Sequence, residues 1–214
     1  MLFNNGNQPS RPSGLGSRLS GAFLLLLATA ALSPLSAGTV TLDFEGFPDS
    51  TSLTTQYPGL TFTNATIISS GISLNEFEFP PHSGTNVAFD DGGPISISFA
   101  SPVLSFGGYF TYAEPLTLAA FDSTSAQVAT AVSLFSNNDA LFGDSGSSPN
   151  EFLQVLFASG ISSVTITGAS LGGSFVMDDA TLTTADTTAV PEPGSIFLLL
   201  SGMAGMLAIR RRLV

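Results

Sequence analysis

From Val40 onward, apolar and polar residues alternate in short runs. Val40-Thr41-Leu42-Asp43-Phe44-Glu45 places Val40, Leu42 and Phe44 on one side of an extended strand. Leu60–Phe62 and Ala65–Ile68 follow a Tyr57-Pro58-Gly59 turn. The same reading gives strands at Asn86–Phe89, Ile95–Phe99, Val103–Tyr112, Leu116–Phe121 and Ala126–Phe135. Phe152–Phe157, Ser163–Thr167 and Ser174–Thr183 complete the set. Gly, Pro, Ser and Asn interrupt the runs about every ten residues, the spacing of a sandwich. No stretch of this middle region keeps a helical period over three turns. The pattern predicts an all-β fold: a single β-sandwich of the jelly-roll type, with eight or nine strands and a core of Phe, Leu, Ile and Val.

The two ends break the pattern. Arg11 and Arg18 precede the apolar stretch Gly21–Leu32, which leads into Ser33-Pro34-Leu35-Ser36-Ala37. A positive segment, a short apolar segment and a small-residue exit predict a secretory signal peptide over 1–37, cut after Ala37. An uncleaved membrane anchor is the alternative, and both export the middle of the chain. At the other end, Val190-Pro191-Glu192-Pro193-Gly194 is extended, because Pro fixes φ and restricts its predecessor. Ser195 can cap a helix over the uncharged run Ile196–Ile209, which is followed by Arg210-Arg211-Arg212. That run is shorter than the roughly 20 residues of a comfortable membrane span, a gap that snorkelling arginines and local thinning narrow. The arginines favour the cytoplasmic side, so the residues before them face outward. The predicted division is 1–37 signal peptide, 38–183 β-sandwich, 184–189 Thr-rich linker and 190–214 sorting signal with a membrane helix.

Pro-Glu-Pro, an apolar helix and an arginine cluster, in that order, resemble the PEP-CTERM sorting domain of Gram-negative bacteria over about Val190 to Val214. The resemblance implies an exosortase as processing partner, transient residence in the inner membrane, and export to the cell surface or beyond. It also implies association with biofilm or extracellular polysaccharide. Carried over, Pro191, Glu192 and Pro193 are recognition residues and Arg210, Arg211 and Arg212 the stop; all are features of a substrate, none catalytic.

Charge sharpens the picture. The chain has five Lys and Arg, and all five lie in the two end segments. Of its sixteen Asp and Glu, all but Glu192 lie between Gly38 and Val190. A region with no Lys or Arg is poorly equipped to neutralise phosphates, which argues against nucleic acid and anionic lipid headgroups. There is no cysteine, so disulfides, thiolate catalysis and Cys-bound zinc are excluded.

A buried carboxylate here has no Lys or Arg to pair with. Phe175 and Met177 share one face of the last strand and Ala180 and Leu182 the other, so a bulge near Asp178-Asp179 would bring all four inside. The opening Leu-Asp-Phe-Glu strand and the closing Phe-Val-Met-Asp-Asp-Ala-Thr-Leu strand resemble those of exported carbohydrate-binding-type jelly rolls. That resemblance implies a structural calcium held partly by Glu45 and Asp179. Backbone amides and water are the alternative partners, with His82 a third. Asp90-Asp91-Gly92-Gly93 reads as a turn, or as a loop for a cation or sugar. Ser136–Glu151 is the longest polar connection. Gly168-Ala169-Ser170-Leu171-Gly172 matches the hydrolase pattern G-x-S-x-G, but strands on both sides make it a hairpin turn.

These observations favour an exported, exosortase-processed surface or matrix protein without catalytic residues. A carbohydrate-binding module with structural calcium is the alternative, and a secreted hydrolase using His82 or an acid pair is the third.

Overall fold

In the computed structural model, residues 37–185 are described, and they are all-β. The signal segment, the linker beyond 185 and the sorting tail lie outside the described residues. Ten strands follow in order: β1 (Ala37–Leu42), β2 (Ser52–Leu53), β3 (Leu60–Thr63), β4 (Ala65–Ser69), β5 (Asn86–Asp90), β6 (Ile95–Tyr112), β7 (Thr117–Phe121), β8 (Gln127–Val132), β9 (Glu151–Thr167) and β10 (Phe175–Ala185). The hydrogen-bonded order is β2-β4-β5-β10-β6-β9-β7-β8, with β1 joined to β10 and β3 to β6.

Two long strands turn one sheet into a sandwich. β6 runs 18 residues and β9 runs 17. The sequence pattern divides each in two, but the backbone is continuous. In β6 the alternation stops at Ala100-Ser101-Pro102, where three successive residues are exposed and the register shifts. Pro102 brings no N–H to a ladder, so the strand bends there without losing a bond it could have made. β9 bends opposite it, at Gly160, with φ of +103°. A Cβ on Gly160 would lie 2.8 Å from the Pro102 Cβ, so the double bend needs glycine.

Beyond the bend the two strands change partners. Ile95–Phe99 and Ile161–Thr167 join β3, β7 and β8 in one layer. Val103–Tyr112 and Glu151–Leu156 join β10, β5, β4, β2 and β1 in the other. Side chains from both layers meet in a single core, with Phe106, Phe110, Phe175 and Met177 facing Ile95, Ile97, Leu118 and Ile166.

β10 carries the bulge expected from its pattern. Its register against β6 jumps between Asp178 and Thr181, Asp179 takes a φ of +43°, and Phe175, Met177, Ala180 and Leu182 are all buried. On the neighbouring strand β1 one expectation fails. Val40 is 45% exposed, while Leu42 and Phe44 are buried. β1 pairs with β10 alone, so its outer residues run past the core edge. Phe44 lies beyond the strand in a left-handed conformation, edge-on to Tyr57. The Gly168–Gly172 turn is not a hairpin: β9 and β10 flank β6 rather than pairing with each other.

The bend yields a test. Gly146 also has a positive φ, +88°, but open space where its Cβ would sit. Gly160→Ala should therefore cost at least about 2 kcal/mol in urea unfolding and Gly146→Ala about 1 kcal/mol. Equal losses would contradict the packed double bend.

Candidate functional site

The connection from β4 to β5 folds back over the outer face of its own layer. Its Leu74 and Phe79 form a small second core with Ile68, Val87, Phe89 and Val176. Apolar contact holds the first part of this strap. Carboxylates hold the returning limb, His82–Asn86. Glu45 accepts the Thr85 N–H at 2.7 Å, the Asn86 N–H at 2.8 Å and the Thr85 hydroxyl at 3.1 Å. Between them Gly84 has φ of +54°, and a Cβ there would overlap the Glu45 carboxylate. Asp178 accepts the Ser83 N–H at 2.8 Å. Asp179 lies 2.7 Å from His82 Nδ1 and accepts the Ser83 hydroxyl at 3.1 Å. The two carboxylates singled out in the sequence thus grip opposite ends of one five-residue segment, and the bulge in β10 aims Asp179 at it.

The His82 ring stacks on Tyr109 of β6, centroids 3.5 Å apart and planes 7° from parallel. Phe152 of β9 meets the far side of the row at 5.1 Å from Tyr109. Nothing in the spacing of these three aromatics marks them; register across β6 and β9 pairs Tyr109 with Phe152.

The same device recurs across the domain. Asp90, fully buried, accepts N–H groups of Ser174 and Phe175 at 2.9 and 3.0 Å and the Ser174 hydroxyl at 2.9 Å. It ties the β9–β10 loop to the end of β5, so the Asp-Asp-Gly-Gly turn is an anchor. In the Ser136–Glu151 connection, Asp144 binds the Ser136 and Asn137 amides, and Asp139 those of Leu141 and Phe142. Fully buried Asn138 bridges the Tyr112 N–H and the Phe110 and Ser148 carbonyls. Glu151 takes the Tyr112 hydroxyl and the Leu134 amide. This long polar connection is therefore a fixed structure, though its tip leaves Leu141 and Phe142 exposed. Among the described residues no buried side-chain nitrogen or oxygen lacks a partner.

Electrostatics follow burial. Asp178 is 1% exposed, and burial pushes its carboxyl up to about 6 against the opposing pull of the Ser83 and Asp179 amides. Burial also raises Asp90, and it holds the Tyr112 phenol at about 12 with help from the Glu151 hydrogen bond. On the surface, hydroxyl donors from Ser73 and Ser50 hold Asp49 below its ordinary value.

The Gly168–Gly172 segment does not form a nucleophile elbow. Ser170 sits in a turn between strands, whereas the elbow chemistry requires a helix after the serine. His82 turns Nδ1 to Asp179 and stacks its ring on Tyr109. Nor does the donor set fit calcium. The Glu45 and Asp179 oxygens already accept protein donors, and among the described residues no group of three or more His, Asp or Glu side chains is disposed to hold a metal ion.

Comparison with known proteins bears on the tail. Residues 189–212 match the PEP-CTERM protein-sorting motif, so the protein is an exported one with a C-terminal sorting signal. Among the described residues no helix is long and apolar enough to cross a membrane, and Ile196–Ile209 lies outside them. No curated protein matches the chain in sequence. Among solved structures, the chain is similar to the K2 cleaved adhesin domain of Lys-gingipain at 16% identity and a TM-score of 0.43, covering 69% of this chain and 100% of that one. It is also similar to a DUF4465 family protein from Bacteroides caccae, at 12% and 0.44, covering 68% and 98%. A family 29 carbohydrate-binding module aligns at 11% and 0.39, covering 71% and 88%.

The Asp178 carboxyl gives a pH test. Its folded pKa lies above the unfolded value near 3.9, so the folded state holds the extra proton and stability falls as pH rises from about 4 to about 6. The shift corresponds to at most about 3 kcal/mol. Melting temperature against pH should show that fall in the parent and lose it in Asp178→Asn. Parallel profiles would contradict the assignment.

Proposed function

We propose that this chain is a non-enzymatic surface or extracellular-matrix protein, exported, processed by an exosortase at Pro191-Glu192-Pro193, and associated with extracellular polysaccharide. The match of residues 189–212 to the sorting motif is the observation that carries the reading. On it, residues 38–183 are the cargo, 184–189 a linker, and 190–214 the segment held briefly in the inner membrane, with Arg210, Arg211 and Arg212 on the cytoplasmic side. The register supports a tether at one end of the sandwich. Ala37 pairs with Ala185, so the strands adjoining both removable segments end side by side. The Asp178-Asp179 bulge opposes the far end of β1, where Leu42 pairs with Ala180.

The mass of the mature protein recovered from cells tests this. Loss of the residues before Gly38 and of the tail beyond the Pro-Glu-Pro segment is expected, and Glu192→Ala should leave the tail attached. An untrimmed parent chain would overturn it.

Protein donors, not calcium, neutralise Glu45 and Asp179. Calcium added to the metal-stripped protein should give no heat and no change in melting temperature; a rise of several degrees would restore the calcium site.

A further inference from the structure

The strap covers only part of the outer face of its layer, over β4, β5 and the start of β10. Past His82 the chain returns to β5, and none of the strap's apolar cluster lies on β1, β6 or β9. There the strands lie in the order β1-β10-β6-β9, and register sets Thr41 beside Thr181, Thr181 beside Gly107, and Gly107 beside Gln154. Thr41 and Gln154 are exposed and Thr181 half-buried, so hydroxyl and amide groups face solvent along the row. Four strands at about 4.8 Å spacing make a strip about 15 Å across.

One end of the strip is aromatic and rigid. A Cβ on Gly107 would lie 2.8 Å from the Leu153 carbonyl and 3.1 Å from Phe152 Cζ, so the Phe152 ring rests over bare backbone. It remains 44% exposed, and Tyr109 packs against it. His82 walls the strip on the strap side. Its Nδ1 faces Asp179, its side chain is 36% exposed, and among the described residues its Nε2 has no hydrogen-bond partner. A flat apolar ring, fixed before any ligand arrives, beside a line of neutral donors and acceptors suits a ligand with both apolar and hydroxylated faces.

We infer that this strip, with Phe152 as its stacking platform and Thr41, Thr181, Gln154 and His82 as its polar contacts, binds a neutral polysaccharide chain. Charge selects the class. Between Gly38 and Val190 there is no Lys or Arg to meet a uronate, sulfate or phosphate, and Asp179 stands beside the strip. Hydroxyl-rich, uncharged sugars meet no such repulsion. The inference deepens the polysaccharide association proposed above and rests on it.

Affinity electrophoresis of the mature exported protein tests the site, in gels containing a neutral β-glucan, a neutral galactomannan, or alginate as the anionic probe. Retardation is expected in at least one neutral gel and not in alginate. Phe152→Ala should weaken it about ten-fold or more. Phe152→Tyr should keep it, Gln154→Ala should weaken it less, and Leu171→Ala, on the exposed β9–β10 loop, should leave it unchanged. No retardation in either neutral gel, retardation in alginate alone, or parental binding by Phe152→Ala would overturn the inference. The mature mass is read separately, so failure of the site leaves export and processing standing, whereas an untrimmed chain would remove the exported setting itself.

Discussion

Negative charge without a cation is the condition on which this structure rests. An acid brought near the core of a domain lacking Lys and Arg has to be neutralised by dipoles, and backbone N–H groups are the densest supply. Each clamp answers a loop's unpaired amides and a carboxylate's unpaired oxygens together. Glu45 and Asp179 fix the strap, Asp90 the loop before β10, and Asp139 and Asp144 the long connection before β9. Loops built this way hold their shape without salt bridges of the Lys or Arg kind; His82 Nδ1 and the Asp179 carboxylate, 2.7 Å apart, make a hydrogen-bonded contact.

The constraint also shapes the surface. The open half of the outer face carries Thr41, Thr181 and Gln154 beside exposed Phe152 and Leu156. The strap that Asp178 and Asp179 hold down forms the wall of that open half. The clamp and the proposed binding strip are therefore one piece of architecture: the bulge in β10 points Asp179 at His82, and His82 in turn stacks on the aromatic row.

Much of this was legible in the residues. The opposite faces of Phe175, Met177 and of Ala180, Leu182 required a bulge at Asp178-Asp179, and it is there. Period-2 alternation located nine of the ten strands; two-residue β2 is too short to alternate. The continuity of β6 and β9 was hidden because Pro102 and Gly160 look like terminators in a one-dimensional pattern, while in three dimensions they bend together. Partnerships were the least legible part. Glu45 and Asn86 lie 41 residues apart, and Tyr109 and His82 meet only because the strap folds over the sheet. The absence of Lys and Arg did narrow the partners of a buried acid to amides, metal or the single histidine, and the structure uses amides and that histidine.

Asp90 offers the most direct measurement of the central claim, being fully buried and bonded to the Ser174 and Phe175 amides and the Ser174 hydroxyl. Urea unfolding of Asp90→Ala at neutral pH leaves those amides buried without an acceptor. A loss of about 3 kcal/mol or more with an unchanged m-value is expected. A loss under about 0.5 kcal/mol, the size of an ordinary surface substitution, would mean that carboxylate–amide clamps do not hold this domain together.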